Sequence, residues 1–248
     1  MMYRHPFFIA SLLLISLAGC GLSTPPAGPP PAAAEIESVA ILANQGRQAD
    51  ARNKLQAWAD AGSPIAQRAI AQSYLRQPGQ EAAARSWFTR AAEGGDGEAG
   101  FALGEAYRVG GLGVQPDTAN AWRWYRLAAE HEHAKAALAL ARMARNGDGV
   151  ARDMRLAAQW LQFASDHGNA EAMFLLSNAY MAGEGVPRNP LMGRHLLEMA
   201  ADRANPAAIQ ALSMAIENGD LMTTKNPQLA EQLRIEEGHE LKHRWGDY

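Results

Sequence analysis

The strongest constraint on this chain is a turn that returns at a fixed interval. Gly111-Leu112-Gly113-Val114 recurs as Gly147-Asp148-Gly149-Val150 and again as Gly183-Glu184-Gly185-Val186, each copy 36 residues after the last. A period of that size marks a chain of stacked supersecondary units, each burying its apolar face against its neighbours. The rest of the sequence keeps time with these turns. Ahead of them lie Ile70-Ala71, Leu103-Gly104, Leu140-Ala141, Leu176-Ser177 and Leu212-Ser213. Three residues after the small member come Tyr74, Tyr107, Ala144, Tyr180 and Ile216. Behind the turns come Trp87, Trp124, Trp160 and Leu196, followed by the small pairs Ala91-Ala92, Ala128-Ala129, Ala164-Ser165 and Ala200-Ala201.

Spacings of one and four residues put the leucine, the small residue and the tyrosine on one helical face. The small residue admits a close neighbour. The glycines tolerate the positive φ of a helix end. Asp117, Asp153 and Asn189 follow the turn valines by three residues, where an N-cap is wanted. Asn189-Pro190 and Asn226-Pro227 set proline at the first helical position, where no amide bond is lost. Each unit therefore reads as a helical hairpin, and the chain as an all-α α/α solenoid. Trp87, Trp124, Trp160, Tyr107 and Tyr180 read as packing residues at this spacing rather than as an aromatic binding box.

The pattern A-x-x-x-L-G-x-x-Y-x-x-G-x-G-V-x-x-D, then W and A-A, resembles the Sel-one-like repeat (SLR) family, relatives of the tetratricopeptide repeats. Residues 172–186, AMFLLSNAYMAGEGV, match it best. The resemblance implies a right-handed superhelix of antiparallel hairpins whose first helices line the concave surface. It spans residues 62–220, in units 62–94, 95–131, 132–168, 169–204 and the start of a last one at 205–220. The first unit departs from it, since Arg76-Gln77-Pro78-Gly79 follows Tyr74 with no Gly-x-Gly-Val, and the turn at 107–111 carries an extra residue.

Residues 36–61 read as a shorter, atypical N-terminal hairpin, with Gln45-Gly46 at its break. Residues 221–248 read as a charged C-terminal capping helix; terminal units must turn one face to water.

The N-terminus carries Arg4, an apolar run from Phe7 to Leu17, and then Leu17-Ala18-Gly19-Cys20. Residues 1–19 have the form of a secretory signal peptide, too short to span a bilayer comfortably. The end of this segment resembles the bacterial lipoprotein signal, in which Cys20 would be acylated and anchor the chain. It is the single cysteine, so no internal disulfide forms. Several acyl chains anchor stably where one gives marginal binding. Gly21, by analogy with sorting in enteric bacteria, favours the outer membrane, facing the periplasm. Residues 20–35 form a Pro/Ala-rich tether, extended at about 3 Å per residue.

A formal net charge of −3 with no basic stripe speaks against nucleic acid. No Gly-rich phosphate loop follows a strand pattern, and no cofactor is expected. His239-Glu240-Leu241-Lys242-His243 reads H-E-x-x-H, a pattern able to bind zinc beside a general base. Only five residues follow it, which leaves no room for a third ligand downstream, and an end helix of this kind offers no cleft. His239 and His243 are therefore weak metal candidates. His131 and His133 around Glu132 read as a polar turn.

The outward face of each first helix is the candidate docking surface. It comprises Phe101, Glu105 and Arg108; Leu138, Arg142 and Arg145; and Phe174, Asn178 and Met181. An apolar, a polar and a longer side chain at each level suit a protein or peptide. In the other reading, Phe101, Leu138 and Phe174 pack between first helices. By resemblance, the function is a lipid-anchored periplasmic interaction scaffold that assists an envelope machine such as a secretion or polysaccharide-export complex. The alternatives are a zinc hydrolase on the terminal histidines or a purely structural lipoprotein. Cysteine-rich relatives have been described as penicillin-binding hydrolases, but their paired cysteines are missing here.

Overall fold

The computed structural model describes residues 31–44, 49–221, 225–233 and 235. Eleven helices follow one another in these stretches. They are α1 (Ala33–Asn44), α2 (Ala49–Asp60), α3 (Pro64–Leu75), α4 (Glu81–Glu93), α5 (Gly97–Val109), α6 (Thr118–Glu130), α7 (Ala134–Asn146), α8 (Met154–Asp166), α9 (Ala170–Ala182), α10 (Pro190–Asp202) and α11 (Pro206–Asn218). A further helical run covers 227–233, and there is no strand among the described residues. Each helix packs chiefly on its chain neighbours, pair after pair, as an α/α solenoid requires. The signal segment, Cys20, the break at Gln45-Gly46 and the residues His239 to His243 lie outside the described residues.

Local chemistry sets the ends of the rods. Asp117, Asp153 and Asn189 cap α6, α8 and α10 through side-chain oxygens that accept from Asn120, Leu156 and Met192 amides. Asp96, Asn169 and Asn205 do the same for α5, α9 and α11. Every long turn is closed by one recurring bond. The amides of Asp117, Asp153, Asn189 and Asn226 donate to the carbonyls of Tyr107, Ala144, Tyr180 and Ile216, respectively.

The glycine period needs one correction. The left-handed C-caps of α5, α7, α9 and α11 are Gly110, Gly147, Gly183 and Gly219, so Gly110 rather than Gly111 is the partner of Gly147. The extra residue of that turn sits at Gly111-Leu112, where Leu112 takes φ +53°. The second glycines, Gly113, Gly149 and Gly185, keep the period, all with φ near +70°.

The core is small-grained. Leu103, Leu140, Leu176 and Leu212 are buried with their small neighbours Gly104, Ala141, Ser177 and Ser213. Trp87, Trp124 and Trp160 are only half-buried and pack at the margin of the core. The deeper contact belongs to the next residue along, namely Phe88, Tyr125, Leu161 and Leu197. One ring of the helix separates margin from core here, and a bulky indole suits the half-wet side. Ser213 Oγ donates to the Ala230 carbonyl at 2.8 Å and ties the run 227–233 to α11.

The short turns after the second helices place Gly95, Glu132, Gly168 and Ala204 at positive φ. A residue with a Cβ pays about 1–2 kcal/mol for that region. Ala204→Gly is therefore expected to stabilise the chain by roughly 0.5–1 kcal/mol, after the extra unfolded-state entropy of glycine is subtracted. A thermal melt checks this: the midpoint should rise, against the usual effect of added glycine.

Candidate docking face of the first helices

Aligning α5, α7 and α9 on their first residues sets equivalent side chains in rows across the array. The second residues are Glu98, Lys135 and Glu171; the fifth are Phe101, Leu138 and Phe174; the ninth are Glu105, Arg142 and Asn178; the twelfth are Arg108, Arg145 and Met181.

The fifth-position row seals the repeats. Leu138 is 5% exposed and belongs to the central core cluster, which removes it from any docking surface. Phe101 is half-buried, stacked on His133 with centroids 4.8 Å apart and tilted against Tyr125 at 5.7 Å. Phe174 is half-buried against the last core cluster. An apolar side chain at this height meets the following unit before it meets solvent, so of the two sequence readings the packing one describes this row. Met181 is half-buried over Gly193 of α10.

The polar rows differ. Glu105 is half-buried and takes hydrogen bonds from Arg108 (2.6 Å) and from the Tyr125 hydroxyl. The Arg108 hydrogen bond holds its carboxyl below the usual carboxylate range, against the upward pull of burial. Arg142 reaches across to Glu171 of the next repeat in an ion pair between exposed side chains. Arg145 and Asn178 are exposed and make no side-chain bond to another described residue. Together α7 offers Lys135, Arg142 and Arg145, with no acidic residue along its length.

The second-position row was missed at the sequence level. Glu98, Lys135 and Glu171, the second residue of each helix, stand exposed beside the face already named. So was the work done by His133. It is the N-cap of α7: Nδ1 accepts from the Ala136 amide at 3.1 Å and Nε2 lies 2.9 Å from Glu98. An accepting Nδ1 puts the proton on Nε2, which donates to the carboxylate. The ring is thus a cap and an inter-repeat link. No group of three or more potential metal-ligating side chains occurs among the described residues. No helix among them is long and apolar enough to cross a membrane.

The arrangement is an open row of charges and amides on rigid rods, a surface suited to binding. No curated protein matches the chain. The Sel1 repeat model matches five consecutive stretches, 64–96, 97–133, 134–169, 170–205 and 206–233, each beginning at a first helix. The fifth takes in the helical run 227–233. Among solved structures, a protective antigen of uropathogenic Escherichia coli with an SLR fold is 24% identical with a TM-score of 0.71. That alignment covers 84% of this chain and 46% of the antigen, so the chain spans about half the length of that relative. A Sel1 repeat protein of Oxalobacter formigenes is 26% identical with a TM-score of 0.65, over 83% of this chain and 84% of the other. Helical hairpins in register, capped at the same places and matched unit by unit, make this chain a member of the Sel1 repeat family, whose proteins are in general scaffolds for protein–protein interaction.

Proposed function

We propose that the chain is a lipid-anchored scaffold of the bacterial envelope that docks a partner polypeptide on the outward face of α5, α7 and α9. The observation that carries the docking reading is α7. Its exposed Arg145 makes no side-chain bond to another described residue, and Lys135 and Arg142 extend the same positive row. The Arg145 guanidinium on a rigid rod suits acidic or carbonyl-rich segments, since Arg binds such groups bidentately, while Arg142 is shared with Glu171. The anchoring reading rests on Leu17-Ala18-Gly19-Cys20 after a short apolar run. The partner in this reading belongs to an envelope assembly of the secretion or polysaccharide-export kind, and the array faces the periplasm from the outer membrane.

Two variants test the two halves. Arg142→Glu combined with Arg145→Glu reverses the row and removes the exposed Arg142–Glu171 pair, a loss of about 1 kcal/mol at most, so the fold should hold with only a small drop in the melting midpoint. Crosslinking in intact envelopes followed by affinity capture should then lose the partners that the unaltered chain brings down. An unchanged set of captured proteins would remove this face from the proposal and favour a purely structural role. Cys20→Ala should abolish incorporation of labelled palmitate and release the chain from the membrane fraction. Retention with full labelling would overturn the anchor.

A further inference from the structure

A second site lies away from that face. Between α8 and the end of α9, with the turn at 183–187 as its far wall, runs a groove of about 780 Å³. That size lies within the range of ligand sites, roughly 300–1,000 Å³. Its opening has a sequence cause. Ala158 stands two residues before Trp160, where the second helices of the other Sel1 units carry Arg85, Trp122 and Arg194 ahead of Trp87, Trp124 and Leu196. One small side chain leaves unfilled what three large ones occupy elsewhere.

The lining is directional. Arg155, Gln159 and Gln162 follow one another at i, i+4 and i+7 and share one face of α8. Seven residues of helix rise about 10 Å, the length of roughly three residues of extended chain. Gln159 has both amide functions free of described partners, and Gln162 gives its NH₂ to Asp166 at 2.8 Å, which leaves its carbonyl. An amide side chain that can donate and accept matches a peptide group, which does the same. Arg155 is the only charged residue on the walls; it is exposed and has no ion-pair partner among the described residues. Tyr180 adds a hydroxyl without a described partner, and Leu176 with Ala158 adds an apolar floor.

From these features we infer that the groove takes an extended segment of a partner protein, with an acidic side chain over Arg155 and an apolar one on the floor. Backbone groups of the segment pair with Gln159 and Gln162. This site does not depend on the α5, α7 and α9 face, and either can stand without the other.

Two capped hexapeptides test it, one alternating valine with glutamate and one alternating valine with lysine, added to the ¹⁵N-labelled full chain. The glutamate peptide should shift the Gly185 amide and the Gln159 side-chain amide with a dissociation constant at or below about 1 mM. The lysine peptide should leave both in place. Arg155→Glu should exchange the preference, with glutamate-peptide binding at least about tenfold weaker. Ala158→Trp, which copies the side chain of the preceding repeat, should close the groove to both peptides. Arg142→Glu with Arg145→Glu should change none of this, which separates failure here from failure of the docking face. No shift at the groove with about 5 mM glutamate peptide overturns the inference. So do equal shifts from both peptides, or an unaltered preference in Arg155→Glu.

Discussion

Gly185→Ala is expected to cost more stability than any other single methyl group added to the long turns, on the order of 3 kcal/mol or more. Two costs meet at this glycine. Its φ is +73°, a region that charges about 1–2 kcal/mol to any residue with a Cβ. A Cβ there would also overlap the carbonyl oxygen of Met154, at the start of α8. That atom is backbone in the first turn of a capped helix, so no rotamer change relieves the overlap. Gly149 faces the Thr118 carbonyl in the same way, one repeat earlier. Gly113 is the internal control. It has nearly the same φ, +70°, yet its nearest would-be neighbour is Arg85 Nη1 at 3.5 Å, the end of a flexible side chain. Gly113→Ala should therefore pay for φ alone, about 1 kcal/mol. Urea unfolding of the two variants reads the difference. Because each unit of a solenoid is held only by its neighbours, the damaged turn should also uncouple the C-terminal hairpins from the rest. Gly185→Ala should then unfold in two steps and be cut by protease first between 182 and 190. Equal midpoints for the two variants would show that close approach of the turn to the previous helix contributes nothing.

These turns also mark what the sequence could and could not disclose. Period, hairpin and caps were legible because they depend on residues close in the chain. Leucine, small residue and tyrosine fall on one face by helical geometry alone, and Asp117, Asp153 and Asn189 cap whatever helix follows them. Contacts between units were not legible in the same way. They depend on how far one hairpin is rotated against the next, which spacing does not encode. Phe101 looks like a docking residue on a single helix and becomes a seal only when His133 and Tyr125 arrive from the next elements, and Leu138 is withdrawn from the surface only once the central core closes over it. In the sequence Tyr125 stands in the shadow of the larger Trp124, although size does not decide which of two adjacent residues faces inward. Ala158 is inconspicuous because small residues are common in this chain; its meaning lies in the three large residues at its place in the other repeats. The slip from Gly111 to Gly110 shows a further limit. Two glycines in a row satisfy the same spacing rule, and only the backbone reveals which one takes the left-handed cap.

Gly104→Ala should be the most disruptive glycine-to-alanine change inside the first helices, at roughly 2–3 kcal/mol. Gly104 lies beneath the ring of Tyr125, and a methyl group would overlap its ring carbons. Tyr125 has no room to retreat. It is fully buried, braced by Phe101, and its hydroxyl donates to Glu105, which Arg108 holds in turn. The later hairpins show the alternative solution: Ala141 and Ser177 carry a Cβ in units whose second helix presents Leu161 or Leu197. Adding Tyr125→Leu to Gly104→Ala should therefore recover part of the loss, giving a favourable coupling of about 1–2 kcal/mol in a double-mutant cycle. The same contact leaves a mark on pH dependence. Burial first, then Glu105, pushes the Tyr125 phenol well above its ordinary value of about 10, so its contribution is intact below that pH and is lost as pH rises through the folded value. Glu105 runs the other way: its lowered carboxyl contributes above the ordinary carboxylate range and is lost as pH falls through the depressed value. Tyr125→Phe should erase the alkaline limb while sparing most of the acid one, since Arg108 still holds Glu105. Strict additivity of Gly104→Ala and Tyr125→Leu would mean that glycine and ring are not fitted to each other, and the tight first-helix crossing would need another cause.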